Sequence, residues 1–235
     1  MNSLDAPITP NQVDPAEISA RETLQGTPRS FLNPSAGKSS SSSQIRLDLY
    51  DNSDFDRGAG RLKEALWVLC KCVFFLNPFP WPSFLRVWLL RLFGAQLGHG
   101  VVIRSSVNIT FPWRLTVGNH VWIGEEVLIL SLAPVTLGSN ICISQRVFLC
   151  TGSHAWRCET FDLQTHPIVV EDRVWISAQA FIGPGARIGS DSVIGAGTVL
   201  MKTIPTNSFA SGNPATVTPK FSAQQSPDPS KAFVA

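Results

Sequence analysis

The chain has 235 residues, is 44% hydrophobic and 15% charged, and carries a formal net charge of +2. This is the length of one domain with tails, and a charge so small, with no basic stripe, excludes an electrostatic case for nucleic-acid binding. Five cysteines, an odd number with no C-x-x-C spacing, exclude a disulfide framework or a zinc knuckle and fit a reducing, cytoplasmic compartment.

Residues 1–45 are rich in Ser and Pro, with a serine run from Ser39 to Ser43, and read as a disordered tail. Asp14 before Pro15 is a helix-start signal within it. Asp5, Asp14, Glu17 and Glu22 argue against a transit peptide. Residues 46–95 form a second segment. LKEALWVLCKCVFFL is apolar and compatible with a helix, NPFPWP breaks it, and SFLRVWLLRLFG reads as a second helix carrying Arg86 and Arg91. A membrane span wants ~20 uninterrupted apolar residues, which Lys71, Pro78, Pro80 and Pro82 prevent. Two compatible readings of residues 62–93 remain. One is a helical cap over an exposed strand edge. The other is an interfacial anchor that holds a cytoplasmic protein at the inner face of the membrane, with Trp81, Trp88 and the two arginines near headgroups.

From Leu97 onward, aliphatic residues recur in steps of six: Leu97, Ile103 and Ile109; Val117, Ile123 and Ile129; Leu137, Ile143 and Leu149; Val170, Ile176 and Ile182; Ile188, Ile194 and Leu200. Glycine often follows directly, as at Gly118 and Gly189, where a Cβ would crowd a tight corner. A smaller or branched residue lies four positions on, such as Val121, Val127, Ala180 or Ser192. A β-sandwich alternates with period two and turns every 8–12 residues, so the pattern predicts a hexapeptide-repeat parallel β-helix instead. Three six-residue sides close one coil. Five coils at ~4.8 Å spacing make a prism roughly 24 Å tall. The repeat domain spans 96–221, and 222–235 reads as a second tail.

Three steps break the period. Ile109 to Val117 is eight, Ile129 to Leu137 is eight, and Leu149 to Val170 is twenty-one. Each follows the third side of a coil, so all three loops are expected to project from one edge, where a pocket can form. The long one carries Gly152-Ser153-His154-Ala155-Trp156 and ends at His166-Pro167.

The run from about Leu47 to Lys220 resembles the hexapeptide-repeat acyltransferases, and most resembles the colanic-acid-type acetyltransferases that modify polysaccharide precursors. The stretches that carry the likeness are LDLYDNSDFDRGAGRLKEALW, FLNPFPWPSFLRVWLLRLFGA, FPWRLTVGNHVWIGEEV, LAPVTLGSNICISQRVFLCTGSH, IGAGTVLMKTIP and SGNPA. The resemblance implies an all-β fold, a left-handed parallel β-helix of about five coils preceded by a short helical segment, against the usual right-handed crossover. It also implies a homotrimer with acetyl-CoA as acyl donor, no metal, and a sugar or polysaccharide-precursor hydroxyl as acceptor.

Acyl transfer from a thioester to a hydroxyl needs a base, an oxyanion donor and a groove for the donor. The resemblance makes His154 the base. Similar proteins read GSHD where this chain reads GSHA, which leaves Glu126, Glu159, Asp162 or a backbone carbonyl as the groups that could orient the imidazole in place of an aspartate. The groove is implied between neighbouring subunits, at Ala178, Ala196, Met201 and Lys202. Thr216 replaces a basic residue usual after N-P-A, and Lys220 is either its substitute or a solvated tail residue. Trp113, Glu126 and Ser131, on or beside the loop edge, are candidates to line the acceptor pocket, with Trp113 offering a flat face to a sugar or packing on the next loop. His99 and His120 read as surface turn residues, and His166 as able to approach the site.

Three other readings compete. Cys150 and Cys158 lie near His154, but nothing places a base beside either for covalent catalysis; Cys150 is expected to face outward. A γ-type carbonic anhydrase needs zinc histidines five apart, and the spacings here are 21, 34 and 12. A catalytically silent scaffold or partner-binding module draws its support from Ala155 and Thr216. N-acetylation of an amino sugar stays within the same chemistry.

Overall fold

The computed structural model describes residues 44–77 and 79–220. Apart from residues 44 and 45, the two expected tails, with the helix start at Asp14, lie outside the described residues. A 3₁₀ turn, Leu47–Leu49, opens the described chain. Helix α1 (Arg61–Phe74) follows Gly60 and has Glu64 in its first turn; Pro78, shortly beyond its end, cannot continue it. Helix α2 (Ser83–Leu92) starts directly after Pro82 and ends at Gly94, whose φ of 101° is costly for any side chain.

The repeat folds into three faces. The first stacks β1 (Gln96–Leu97), β4 (Leu115–Val117), β7 (Val135–Leu137), β12 (Ile168–Val170) and β15 (Arg187–Ile188). The second stacks β2 (Val102–Ile103), β5 (Trp122–Ile123), β8 (Cys142–Ile143), β13 (Trp175–Ile176), β16 (Val193–Ile194) and β18 (Ser208–Ser211), closed by antiparallel β19 (Thr216–Pro219). The third stacks β3 (Asn108–Ile109), β6 (Leu128–Leu130), β9 (Phe148–Cys150), β14 (Phe181–Ile182) and β17 (Val199–Leu200). A separate antiparallel hairpin joins β10 (Gly152–His154) to β11 (Leu163–Thr165).

Registers pair each step-six aliphatic with its counterpart one coil away, as in Ile123 with Ile143 and Ile182 with Leu200. Apart from half-buried Leu97 in the first coil, all of them are buried, and so are the four-on positions from Val121 to Thr198 except Ser153 in the long insertion. There are five complete coils and a partial sixth, one part-coil more than the period implied: Ile204 bridges to Ile188, and β18 adds to the second face. The step from Leu200 to Ile204 is four, so the six-residue rule loses the chain there.

The corners without insertions share one conformation. The third residue after the inward aliphatic takes a left-handed φ, at Ser106, His120, Glu126, Asn140, Arg146, Arg173, Gln179, Asp191 and Asn207, and at Gly100, Gly185 and Gly197. The glycine directly after the aliphatic serves a different need: a Cβ on Gly118 would lie 2.7 Å from the Gly138 backbone one coil on.

Both helices bond to the free edges of the first coil. Trp67 of α1 is fully buried, and its Nε1–H donates to the Ile109 and Thr110 carbonyls, both at 3.1 Å. Ser83 Oγ accepts from Ile103 N at 2.8 Å, Arg86 donates to the Ile103 carbonyl at 3.4 Å, and Arg91 donates to the Leu97 and Gly98 carbonyls. Thus α1 lies on the free edge of β3, and α2 on those of β1 and β2. Among the described residues no helix is long and apolar enough to cross a membrane. Trp67→Ala is expected to destabilise the fold by about 3–5 kcal/mol, and Leu69→Ala, on the exposed side of α1, by about 0.5 kcal/mol or less; urea denaturation midpoints of the two variants check both.

Candidate active site

All three insertions leave the corner between the third face and the first face of the next coil, here called the loop edge. Two buried hydroxyls staple the loops together. Ser131 Oγ accepts from Phe111 N at 2.9 Å and donates to the Phe111 carbonyl at 3.0 Å. One coil on, Thr151 Oγ1 accepts from Ala133 N at 3.0 Å and donates to the Leu130 carbonyl at 2.6 Å. Both residues are completely buried.

On this footing the β10–β11 hairpin stands out from the edge, with His154 half-buried at the end of its ladder, opposite Leu163. The chain returns through Phe161, held at φ 52°, whose carbonyl lies 2.9 Å from His154 Nδ1. A carbonyl only accepts, so Nδ1 donates, and in the neutral imidazole the lone pair is then on Nε2. The Phe161 ring stacks on the imidazole at 4.2 Å and 4°, and Tyr50 meets it edge-on at 5.6 Å. Arg46 N donates to the Glu159 carbonyl at 2.9 Å, which ties the N-terminal segment to the same hairpin. Trp156, next along the turn, is exposed.

The backbone carbonyl is therefore the orienting group. Glu126 instead pairs with Arg146 at 2.7 Å, and that hydrogen bond holds its carboxyl below the usual range. Glu159 lies 3.9 Å from Arg46, and the Asp162 carbonyl accepts from Ala155 N.

The structure settles where several residues lie that the sequence left open or put elsewhere. Ser131 presents nothing to an acceptor, because it is fully buried and its hydroxyl already accepts from and donates to Phe111. Trp113 is packed in place: Phe111 stacks on it at 5.1 Å, Lys63 Nζ sits 5.1 Å over its ring, and its Nε1–H donates to the Arg57 carbonyl. Its partners include the N-terminal segment, which closes on it from far away in sequence. Glu126 is not on the loop edge but on the corner between the second and third faces, in a shallow recess with Glu125, Gln145, Arg146, Ala178 and Gln179. Lys220 is not a free tail residue: its Nζ donates to the Asp191 carbonyl at 2.9 Å, on the corner between the first and second faces.

His166 sits at the base of the hairpin, its N–H on the Thr151 carbonyl, while His154 occupies the far end. His99 and His120 meet edge-on at 4.7 Å on the corner between the first and second faces. Cys150, expected to face outward, is buried; its Sγ donates to the Gly152 carbonyl and burial pushes the thiol up, away from a nucleophilic thiolate.

The remaining candidates fall on two edges. Met201 and Lys202 follow β17 on the loop edge, two coils beyond His154, or about 10 Å. Met201 Sδ lies over Gly183, where a side chain would collide with it. Ala178 and Ala196 lie on the corner between the second and third faces, at the heights of Gly183 and Met201 respectively. Within one chain the third face separates the two sets. Phe161 and Tyr50 had no signal of their own in the sequence beyond lying near, or within, stretches that carried the resemblance.

A solenoid with a histidine-bearing excursion on one edge defines a class, and comparisons with known proteins define it further. Residues 167–202 match the family described as bacterial transferase hexapeptide (six repeats). Escherichia coli K12 "Putative colanic acid biosynthesis acetyltransferase WcaF" is 41% identical over 165 residues, covering 68% of this chain and 88% of that protein. Galactoside O-acetyltransferase of the same organism is 30% identical over 135 residues, covering 56% and 66%. A hexapeptide-repeat acetyltransferase of Vibrio cholerae, solved with acetyl coenzyme A, superposes with a TM-score of 0.61 at 26% identity, covering 68% of this chain and 89% of that one. The chain belongs to the hexapeptide-repeat acetyltransferase family.

Ser131→Ala is expected to cost about 1–3 kcal/mol of stability, by leaving two buried Phe111 groups unpaired, with turnover per folded molecule nearly unchanged. Thermal melting and specific activity measured together check it; an acceptor-binding role would instead raise KM at constant melting temperature.

Proposed function

We propose that this acetyltransferase moves an acetyl group from acetyl-CoA to a hydroxyl of a sugar or polysaccharide precursor, with His154 as general base. The observation that carries the reading is the 2.9 Å contact of His154 Nδ1 with the Phe161 carbonyl. It leaves Nε2 basic and aimed away from the hairpin return. Nε2 takes the acceptor proton as the hydroxyl oxygen attacks the thioester carbonyl. The tetrahedral adduct then collapses, the C–S bond breaks, and the departing thiolate receives the proton from the imidazolium. Because the carbonyl does the orienting, Ala155 in place of aspartate does not argue for a silent scaffold. Tyr50 and Trp156 offer aromatic surface beside the base, the kind that packs on a sugar ring. The names of the relatives support the donor and the sugar class, and a cytoplasmic location suits a coenzyme A ester.

The donor groove is shared between copies. Met201 and Lys202 on the loop edge of one chain lie at the height of Ala196 on the other corner of a neighbour, with Ala178 one coil before it. Copies related by an axis parallel to that of the solenoid bring these edges together in register, and closing such a ring with three gives a homotrimer with three sites.

His154→Ala is expected to lower kcat by about 10²–10⁴, with the melting temperature and the affinity for acetyl-CoA nearly intact. Ala155→Asp should leave turnover little changed, since Nδ1 is already held. Thiol release with a panel of sugar acceptors reads both; wild-type turnover in His154→Ala would remove the base assignment. Sharing is tested separately by co-expressing His154→Ala with Ala196→Trp. Each alone is expected to be inactive, and mixed assemblies should recover part of the activity through sites that combine one intact edge from each copy. Absence of recovery in verified mixed trimers would place the whole site within one chain.

A further inference from the structure

The outer surface of the helical cap is used by nothing described above. On α1, Leu62, Leu66, Leu69 and Val73 recur at helical spacing on the side away from buried Trp67 and Cys70, and all are exposed, Leu62 at 74% and Leu69 at 64%. On α2, Phe84, Trp88 and Leu92 form a second stripe opposite buried Val87 and Leu90, with Phe84 at 75% and Trp88 at 57%. Both helices press their other faces on the free edges of the first coil, so both stripes turn away from the solenoid. The connecting turn adds Phe79, exposed and in ring contact with Trp81 at 4.6 Å. So much contiguous apolar surface marks an interaction site.

The charges decide what kind. From Arg57 to Leu92 the chain has six basic side chains and one acidic, Glu64, which is itself paired with Arg57. A second copy meeting this face across a two-fold axis would bring like charges together. An anionic lipid surface would instead be attracted. A recess beside the stripes is lined by Trp81, Ser83, Arg86, Arg104 and Ser105. Arg86 is 3% exposed, and its Nη2 has no hydrogen-bond partner. Ser83 opens α2, whose helix dipole adds further positive character there. The stripes present apolar side chains to acyl chains, and the recess beside them holds one unpaired donor, Arg86 Nη2, for headgroup phosphate, while Arg104 is paired with Glu125. Neither helix is long enough to cross a bilayer, so the contact lies in the interface plane.

We infer that the exposed face of α1 and α2 docks the protein peripherally on a membrane rich in anionic lipid. The inference goes beyond the proposed reaction and does not depend on it. Copies joined through the solenoid edges would leave this end open, and would present several such faces in one plane.

The test is sedimentation of the full chain with vesicles. Binding is expected to phosphatidylcholine vesicles in which about a third of the lipid is phosphatidylglycerol, weakening with salt, and to be much weaker to pure phosphatidylcholine. Leu69→Glu with Trp88→Glu should reduce the bound-to-free ratio by about tenfold or more, with melting temperature and acetyl transfer unchanged. A probe that leaves the apolar surface in place guards against misfolding of that variant. Brominated acyl chains should quench part of the wild-type tryptophan emission, and Trp88→Phe should remove that part. Equal binding of wild type and double variant, or none by wild type, would overturn the inference. So would a fall in the mass of the vesicle-free protein on making the double variant, which would show that a second copy covers the face.

Discussion

The structure depends on one repeated constraint: an inward aliphatic every sixth residue, followed three residues later by a left-handed corner. The aliphatics stack coil on coil, so each buries the next and each ladder aligns the following one. The left-handed corner costs free energy at each non-glycine site, and continuous stacking on both sides offsets it. Because the register is set one coil at a time, extra residues can enter only where a corner interrupts the ladder. Those insertions leave from the same edge, and buried Ser131 and Thr151 bind them into a stack rather than leaving them as separate loops.

A coil has two open ends, and each is closed differently. At the C-terminal end, antiparallel β19 turns back on β18 and ends the second face. At the N-terminal end, indole, guanidinium and hydroxyl groups from two helices satisfy the free strand edges. Arg86 is notable there: it is nearly buried, it donates to the carbonyls of Phe74, Trp81 and Ile103, and burial first and the nearby charge of Arg104 second push its guanidinium down from its usual range. Keeping a charge in that position joins the helical turn to the first coil, at the cost of desolvating it.

The candidate base shows how a site tolerates the loss of an expected residue. In the GSHA sequence no carboxylate follows the histidine, yet the hairpin return through Phe161 supplies an acceptor for Nδ1 and a ring to lie against the imidazole. Backbone geometry thus does what a side chain does elsewhere. Tyr50 reaches the same ring from a segment a hundred residues earlier, so the cap and the reaction edge are parts of one structure.

The amino-acid sequence by itself determined the coil, its three faces, the loop edge and the position of His154 on it. All of these follow from a period and its interruptions, which are local properties of the chain. It did not reveal the partial sixth coil, because a four-residue step breaks the period. Nor could it assign Trp113, Ser131, Glu126 or Lys220. Each is decided by a partner at least twenty residues away: Arg57 and Lys63 around Trp113, Phe111 on Ser131, Arg146 on Glu126, Asp191 on Lys220. The orientation of His154 is likewise tertiary, because it rests on the one conformation in which Phe161 turns its carbonyl back to the ring. Repetition along a chain is legible as a sequence of residue types; which hydrogen-bonding group meets which across a fold depends on where the coils and loops bring distant residues together.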